Sequence, residues 1–95
     1  MKGGWVYLLA SRRNGTVYTG MTANLAARMW QHRNHPKGFA GKYGVALLVH
    51  VEEFPTITEA IAREKAIKKW RRAWKLELIE RDNPEWEDLF ERILA

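Results

Sequence analysis

The sequence predicts an α+β fold in which a small three-stranded antiparallel sheet is flanked by helices, in the order β-β-α-β-α-α-α. Three observations predict it. Two short runs rich in aromatic and branched residues, 5–10 and 16–20, flank an Asn-Gly pair, which is a strong hairpin signal. A third apolar run follows at 46–52. From residue 58 onward, apolar residues recur at roughly helical spacing.

Side chains in the predicted hairpin alternate between the two faces of the sheet. A turn centred on Asn14-Gly15 pairs residues whose numbers sum to 29, so that Tyr18 lies opposite Ser11. Any odd sum places Tyr7 and Tyr18 on the same face, although either tyrosine alone is an ordinary half-buried strand residue. Gly20 ends the second run, where glycine permits close approach of the backbone to a ligand or an unusual dihedral angle. An ordinary strand end explains Gly20 equally well.

We expect Asn24 to cap a helix that runs to about residue 34, with Leu25 and Met29 on its apolar stripe. Arg28 and His32 are four residues apart and therefore share a face of this helix. The planar fork of an arginine suits a phosphate, and a histidine can move a proton near neutral pH. The alternative is a solvated arginine beside a partly buried histidine.

One proline and three glycines predict a loop at 35–45, and the branched run 46–52 predicts a strand covered on both faces. We expect Thr58 to cap the next helix. No Gly or Pro interrupts the pattern up to residue 82, which leaves open one long helix or two helices with a bend near Trp70–Arg72. Asn83-Pro84 ends this stretch, and Pro84 begins a short last helix with an acidic first turn.

Charge is distributed unevenly along the chain, whose net charge is +5. Residues 1–51 hold seven Lys or Arg and no acid, residues 63–75 hold seven bases, and residues 76–95 hold seven acids with two arginines. A concentrated basic surface favours a polyanion, whereas the alternative is a solvated helix face. Five basic side chains are candidates for following a phosphate backbone: Lys68, Lys69, Arg71, Arg72 and Lys75.

Three residues within or beside this basic stretch have two interpretations each. Glu64 is its only acid and offers the hard carboxylate oxygen that Mg²⁺ or Mn²⁺ prefers, or else forms a surface ion pair with Lys68. Trp70 and Trp74 either stack on unpaired bases, which favours single-stranded or branched DNA, or pack in the core. Core packing is favoured for Trp74 and, by a smaller margin, for Trp70.

Composition excludes several classes of protein. A chain of 95 residues with 46% apolar and 28% charged residues predicts one globular domain over 1–95 and excludes a disordered chain. The absence of cysteine excludes disulfides and thiolate metal sites and fits a reducing compartment. No apolar run approaches the ~20 residues of a membrane span. We expect a soluble, cytoplasmic protein with no membrane partner and no small-molecule cofactor; its oligomeric state is left open.

Taken together, these residues resemble the GIY-YIG nuclease superfamily, above all its small stand-alone members. The first signature reads Trp5-Val6-Tyr7 and the second reads Tyr18-Thr19-Gly20, with Trp-Val where the first motif has Gly-Ile. Only the tyrosine of that first motif is retained. The similarity continues through 21–33, 38–44, 60–75 and the Asn-Pro-Glu-Trp of 83–86. The ordered set of two tyrosines, glycine, arginine, histidine and a later helical glutamate carries the resemblance.

The resemblance implies an endonuclease that hydrolyses DNA with one Mg²⁺ or Mn²⁺ ion and a preference for single-stranded or structured DNA. A chain of 95 residues leaves no room for a separate sequence-reading domain, so we expect sequence specificity to be low or to come from nucleic-acid structure. The resemblance also implies that Tyr7 activates the attacking water, Tyr18 organises the site and His32 takes part in it. Arg28 then binds the scissile phosphate and Glu64 binds the metal. A free tyrosine has a pKa of about 10, so Tyr7 serves as a base only if cations lower that value, which the acid-free half of the chain favours.

Two rival functions are compatible with the same residues. One is a non-catalytic nucleic-acid-binding module that keeps the fold without turnover. The other is a protein-interaction domain whose acidic segment, 76–95, docks a basic partner.

Overall fold

The computed structural model describes residues 3–34, 44 and 47–94. Three antiparallel strands form one sheet in the spatial order β2-β1-β3: β1 (Gly4–Ala10), β2 (Val17–Thr22) and β3 (Leu47–Phe54). The helices of the described chain are α1 (Leu25–Asn34), α2 (Ile57–Lys69), α3 (Arg72–Asp82) and α4 (Phe90–Leu94). The predicted α+β class and element order are confirmed, while the predicted loop at 35–45 lies outside the described residues except for Gly44. None of the helices in these ranges is both long and apolar enough to span a membrane.

The β1–β2 hairpin has a different register from the predicted one. Tyr7 pairs with Gly20, so paired numbers sum to 27 and the predicted sum of 29 is wrong. The reason is a longer loop, in which the Ser11 amide donates to the Thr16 carbonyl at 3.0 Å and Asn14 takes a φ of 60°. Because the sum stays odd, Tyr7 and Tyr18 share a face of the sheet, as predicted.

The sheet separates two apolar clusters. On one face, the strands pack against α2 and α3 through fully or nearly fully buried side chains: Val6, Leu8, Ala10, Val49, Ala60, Ile67, Leu78, Ile79 and Trp86. On the other face, they pack against α1 and α4 through Tyr7, Leu9, Leu25, Met29 and Leu48, with Phe90 and Ile93 at the margin. Each large side chain removed from water in this way contributes about 1.5–3 kcal/mol. The cover on both faces places the ring of Tyr7 in an apolar layer beneath α1.

α2 begins one residue before the predicted cap. Thr56 has extended backbone angles, and its hydroxyl accepts from the Glu59 amide at 3.1 Å, so Thr56 rather than Thr58 is the N-cap. The long helical stretch is two helices, because Trp70 and Arg71 are both extended, with ψ of 148° and 158°. The bend expected near Trp70–Arg72 is thereby confirmed.

The last helix is shorter than predicted, because the residues after Pro84 are held in a non-helical path. The Asn83 side-chain amide donates to the carbonyls of Val49 and Glu87, at 3.1 and 2.8 Å, and its oxygen accepts from the Glu87 amide. Trp86 is buried and has a φ of 57°, which a right-handed helix excludes. The last helix therefore starts only at Phe90 instead of at Pro84.

Candidate active site

Tyr7 is the residue around which the predicted site assembles. It lies in the middle of β1, is 1% exposed, and projects toward α1. Its hydroxyl lies 3.1 Å from Nε2 of His32 and accepts a hydrogen bond from Nε of Arg28 at 3.3 Å. The predicted cap of α1 is present, with Asn24 Oδ1 accepting from the Ala27 amide at 3.1 Å. The helical spacing of Arg28 and His32 thus brings both side chains onto one phenol.

Gly20 gives the tyrosine ring the space that it occupies. A Cβ atom on Gly20 would lie 2.5 Å from the Tyr7 hydroxyl oxygen and 3.0 Å from Cε2 of Tyr18. Contacts this short are not tolerated, so any side chain here would displace the phenol. Of the two reasons given for a glycine at this place, close approach is the one that applies, although what approaches is the Tyr7 side chain and not a ligand.

Tyr18 completes a group of three rings with Tyr7 and His32. Ring centroids lie 6.4 Å apart for the two tyrosines, and His32 lies 5.7 Å from Tyr7 and 5.9 Å from Tyr18. These tilted and edge-to-face contacts are favourable aromatic arrangements. They fix the imidazole between the two phenols, so the predicted motif residues of β1, β2 and α1 do meet.

The pKa of Tyr7 is raised, which corrects the expectation that neighbouring cations lower it. Burial is the largest cause, and the charges of Tyr18 and Glu64 add to it, while the hydrogen bond from Arg28 opposes it without prevailing. The pKa of His32 is lowered, first by burial and then by the positive charge of Arg28. Both groups are therefore neutral at neutral pH. The phenol then donates to Nε2 of His32 while it accepts from Arg28.

Arg28 connects this buried pair to the surface. Its guanidinium also donates to Gln31 Oε1 at 3.2 Å, and its side chain is only partly buried. Bonds with Tyr7 raise the pKa of Arg28, so the group stays charged. A cation held in this way at the edge of a buried site is suited to binding an anion such as phosphate.

Glu64 approaches the site from α2. Its carboxylate is 17% exposed and forms an ion pair with Lys68 at 3.0 Å, so the alternative considered for this residue is realised in the structure. Its charge nevertheless reaches Tyr7, whose pKa it raises. Within the ranges described, no group of three or more His, Cys, Asp or Glu surrounds a possible ion site. One carboxylate fits Mg²⁺, which keeps most of its water ligands, better than an ion that needs a closed protein cage.

The basic stretch does not act as one surface. Lys68, Lys69 and Arg71 are exposed, and Lys75 is partly buried. Arg72 is exposed as well, but it donates to the carbonyl oxygens of Asn14 and Gly15, at 2.8 and 2.7 Å. It thereby ties the hairpin loop to α3, a role that no local pattern in the sequence indicates.

The two tryptophans at the helix junction differ in environment. Trp70 is half-buried against the cluster under α2 and α3, whereas Trp74 is 45% exposed, so the expected core packing of Trp74 is wrong. The reason is the break at Trp70 and Arg71, which interrupts the helical phase that a four-residue spacing assumes. Arg71 lies over the Trp74 ring at 4.9 Å from its centroid, and the two indoles meet edge to face.

A partly buried ionic network on the opposite face of the sheet was missed from the sequence. Glu52 accepts from Nε of Arg63 at 2.8 Å and from Nη2 at 3.1 Å, and its other contact is Nε2 of His50 at 2.8 Å. These bonds outweigh the effect of burial and lower the pKa of Glu52 to about 2. The spacing of His50 and Glu52 on one strand is the only sequence signal, and it does not identify Arg63 as the partner.

Comparison with known proteins identifies the family of the chain. Residues 3–77 match the GIY-YIG catalytic domain. The chain is 37% identical over 93 residues to a UPF0213 protein of Syntrophus aciditrophicus (strain SB), covering 90% of this chain and 98% of the relative. It is 40% identical over 79 residues to a UPF0213 protein of Clostridium perfringens (strain 13 / Type A), covering 79% and 81%.

A solved structure is also similar. The solution NMR structure of a UPF0213 protein from Bacillus halodurans aligns with a TM-score of 0.58 and 26% identity, over 94% of this chain and 95% of that one. The similarity thus covers almost the whole chain, in sequence and in fold. The chain belongs to the GIY-YIG catalytic domain family, a family of nucleases that act on nucleic acid and generally use a divalent metal.

Proposed function

We propose that the protein is a divalent-metal-dependent endonuclease that hydrolyses DNA phosphodiester bonds with low sequence specificity. The observation that carries the proposal is the Tyr7 hydroxyl, which is bonded to both Arg28 and His32 in a space that Gly20 leaves open. Membership of a nuclease family supports the reaction class. The lack of cysteine suits the reducing cytoplasm, which is where we propose that the protein acts.

In this proposal, Tyr7 and His32 accept the proton of the attacking water together. The water proton passes to the Tyr7 oxygen while the phenolic proton passes to Nε2 of His32, and the water oxygen forms the new bond to phosphorus as the bond to the leaving oxygen breaks. A relay of this kind needs a neutral imidazole, which the lowered pKa of His32 supplies. It does not need a depressed tyrosine pKa. Tyr18 holds the imidazole in place by ring contact.

Charge that develops on the phosphate is balanced by two groups. Arg28 provides a fixed cation beside the reacting oxygens. Glu64 would hold Mg²⁺ or Mn²⁺, which supplies a Lewis acid for the phosphate oxygens. Glu64 forms an ion pair with Lys68 in the structure, so a bound metal ion would have to take the place of that ammonium group.

For the substrate, we propose single-stranded or branched DNA. Trp74 is an exposed aromatic surface within the basic stretch on which an unpaired base can stack, and Arg71 lies against it. Lys68 and Lys69 precede it along the chain and are exposed, so they can contact the phosphates of the same strand. Stacking requires unpaired bases, which a plain duplex does not present.

One observation favours a second candidate, a nucleic-acid-binding module without turnover. Glu64 is already paired with Lys68, as it would be in a protein that no longer binds a metal. The nuclease remains the better proposal, because the bonds of Arg28 and His32 to a buried phenol have no evident use in binding alone.

The deciding experiment is incubation of labelled single-stranded, duplex and branched DNA with the protein, with and without Mn²⁺ or Mg²⁺. We expect cleavage only with metal, and preferentially of the single-stranded and branched forms. Glu64→Gln should lose cleavage at least about 100-fold while it retains DNA affinity, and Glu59→Gln, the matched control at an exposed position of the same helix, should cleave like the wild type. Binding without cleavage by the wild-type protein under both metals would instead support the binding module.

A further inference from the structure

Asp88 joins three elements of the fold that lie around the site. It precedes α4 and lies beyond residues 3–77, the part of the chain that matches the family. Its Oδ1 accepts from the backbone amides of Leu48 and Phe90, both at 3.1 Å, and its Oδ2 accepts from Nη2 of Arg33. The Leu89 amide donates to the Leu48 carbonyl at 2.7 Å. One carboxylate therefore links β3, the start of α4 and the end of α1.

Arg33 is held by an ion pair and by a contact with an aromatic ring. Its guanidinium carbon lies 4.2 Å from the centroid of the Phe90 ring, so the group is both paired with Asp88 and stacked. Burial tends to raise the pKa of Asp88, but the bonds from Arg33 and the two backbone amides lower it below its ordinary value. The two side chains are each 30% exposed, so water screens this pair less than an ordinary surface ion pair.

Arg33 directly follows His32, and the two side chains leave the last turn of α1 in different directions. His32 points to the Tyr7 hydroxyl, and Arg33 points to Asp88. The other end of α1 is fixed by the Asn24 cap. The Arg33–Asp88 pair is thus the polar anchor of the end of the helix that carries His32.

We propose that Asp88 is a positioning residue for the nuclease reaction, which acts through Arg33 to hold the last turn of α1 and so to keep the imidazole of His32 at the Tyr7 hydroxyl. This inference rests on the proposed function, because it assigns Asp88 to the proton relay of that reaction. A displacement of about 1 Å in a catalytic group costs about 100-fold in rate. The bond between Tyr7 and His32 would not survive such a movement of the helix end.

Asp88→Asn tests the proposal with little change in shape. Its side-chain carbonyl can still accept from Leu48 and Phe90, but its charge no longer attracts Arg33. We expect kcat to fall about 10- to 100-fold, with KM for DNA nearly unchanged, because Asp88 does not contact the substrate in this proposal. The control is Glu85→Gln in the same segment, which removes an exposed ion pair with Arg13, 3.2 Å long, and should leave kcat unchanged.

A second readout does not depend on activity. The imidazole resonances of His32 should titrate at a higher pH in Asp88→Asn than in the wild-type chain, because the loosened helix end admits water. In the wild-type chain the groups that face the ring are Tyr7, Tyr18 and Arg28. His50 is buried on the opposite face beside Glu52, so its resonances at a fixed pH serve as an internal reference for intact folding. The titration is recorded far below the unfolding temperature, which circular dichroism establishes for each variant.

The outcomes separate this proposal from the proposed function. A folded Asp88→Asn protein in which His32 titrates as in the wild type overturns the anchoring role, and a shifted titration without loss of kcat overturns the positioning role. If the wild-type protein cleaves no DNA, the proposed function fails, and the titration still decides whether Asp88 holds His32. Should Asp88→Asn not fold, Arg33→Gln keeps the backbone bonds of Asp88 and should give the same two changes. Failure of both variants to fold assigns the pair to folding alone and overturns the proposal.

Discussion

The hydroxyl of Tyr7 and Nε2 of His32 lie 3.1 Å apart, and their pKa values are shifted in opposite directions. Burial raises the pKa of the phenol and lowers that of the imidazole, because each neutral form is easier to bury than its charged form. The pair is therefore poised as a neutral donor and a neutral acceptor. In the proposed reaction, proton movement toward His32 would be assisted by Arg28, which donates to the phenol and would stabilise negative charge on it.

Removing the hydroxyl of Tyr7 should abolish most of the activity without unfolding the protein. Tyr7→Phe keeps the ring in its apolar layer but loses both hydrogen bonds, and we expect single-turnover cleavage to fall about 10²- to 10⁴-fold. The control is Thr19→Val on β2. The Thr19 hydroxyl is buried and has no hydrogen-bond partner among the described residues, so its loss should leave cleavage unchanged. Wild-type cleavage by Tyr7→Phe over the full pH range would exclude Tyr7 from the relay.

Adding a methyl group at Gly20 should disrupt the site by a steric clash with Tyr7. Gly20→Ala places a Cβ at 2.5 Å from the Tyr7 hydroxyl oxygen, so we expect a destabilisation of about 1–3 kcal/mol and loss of cleavage even in the folded protein. Gly44→Ala is a control of similar cost, since its φ of 63° disfavours a side chain by about 1–2 kcal/mol. Thermal unfolding and cleavage are measured for both. Equal cleavage by the two folded variants would contradict the tight fit.

Substitution of the two tryptophans should separate binding from stability. Trp74→Ala removes an exposed ring, so the free energy of unfolding should barely change while single-stranded DNA affinity falls by about 1–3 kcal/mol, the contribution of one stacked base. Trp70→Ala should instead destabilise the fold, because Trp70 packs against the core. Fluorescence anisotropy and thermal unfolding measure these effects. Unchanged affinity in Trp74→Ala would remove the basis for a single-strand preference.

The ionic network of Glu52 should make stability depend on pH in acid. Its pKa is about 2 in the folded chain against an ordinary 4.5, so the stabilisation is complete above pH 4.5 and is lost as the pH falls toward 2. We expect up to about 3 kcal/mol from this group. Urea unfolding between pH 5 and 2 should show a shallower decline for Glu52→Gln than for the wild type. Glu53→Gln, its exposed neighbour on β3, should decline like the wild type.

Local chemistry made much of the fold predictable. Hairpin alternation put Tyr7 and Tyr18 on one face, and Asn24 capped the helix that carries Arg28 and His32. The exact start of a helix was not predictable where two neighbouring residues could both serve as its N-cap. The chain offers two threonines as caps for α2, and the path by which it leaves β3 selects Thr56.

Properties that depend on tertiary burial were least accessible from sequence. A count of charges along the chain predicted a lowered pKa for Tyr7, but the apolar layer formed with α1 decides its direction. Likewise, the exposure of Trp74 follows from a helix break that no glycine or proline announces. Metal binding by Glu64 and the catalytic roles of the site residues stay predictions.

The segment from Asn83 to Leu89 also bears on how copies of this chain behave toward one another. Along β3, the Leu48 amide donates to the Asp88 carboxylate and the Leu48 carbonyl accepts from the Leu89 amide. The Val49 carbonyl accepts from the side-chain amide of Asn83. These are backbone groups through which a strand at a sheet margin would recruit a strand from another molecule. Residues 83–89 thus occupy backbone groups of Leu48 and Val49 at the outer edge of β3, which would otherwise be open to strand addition.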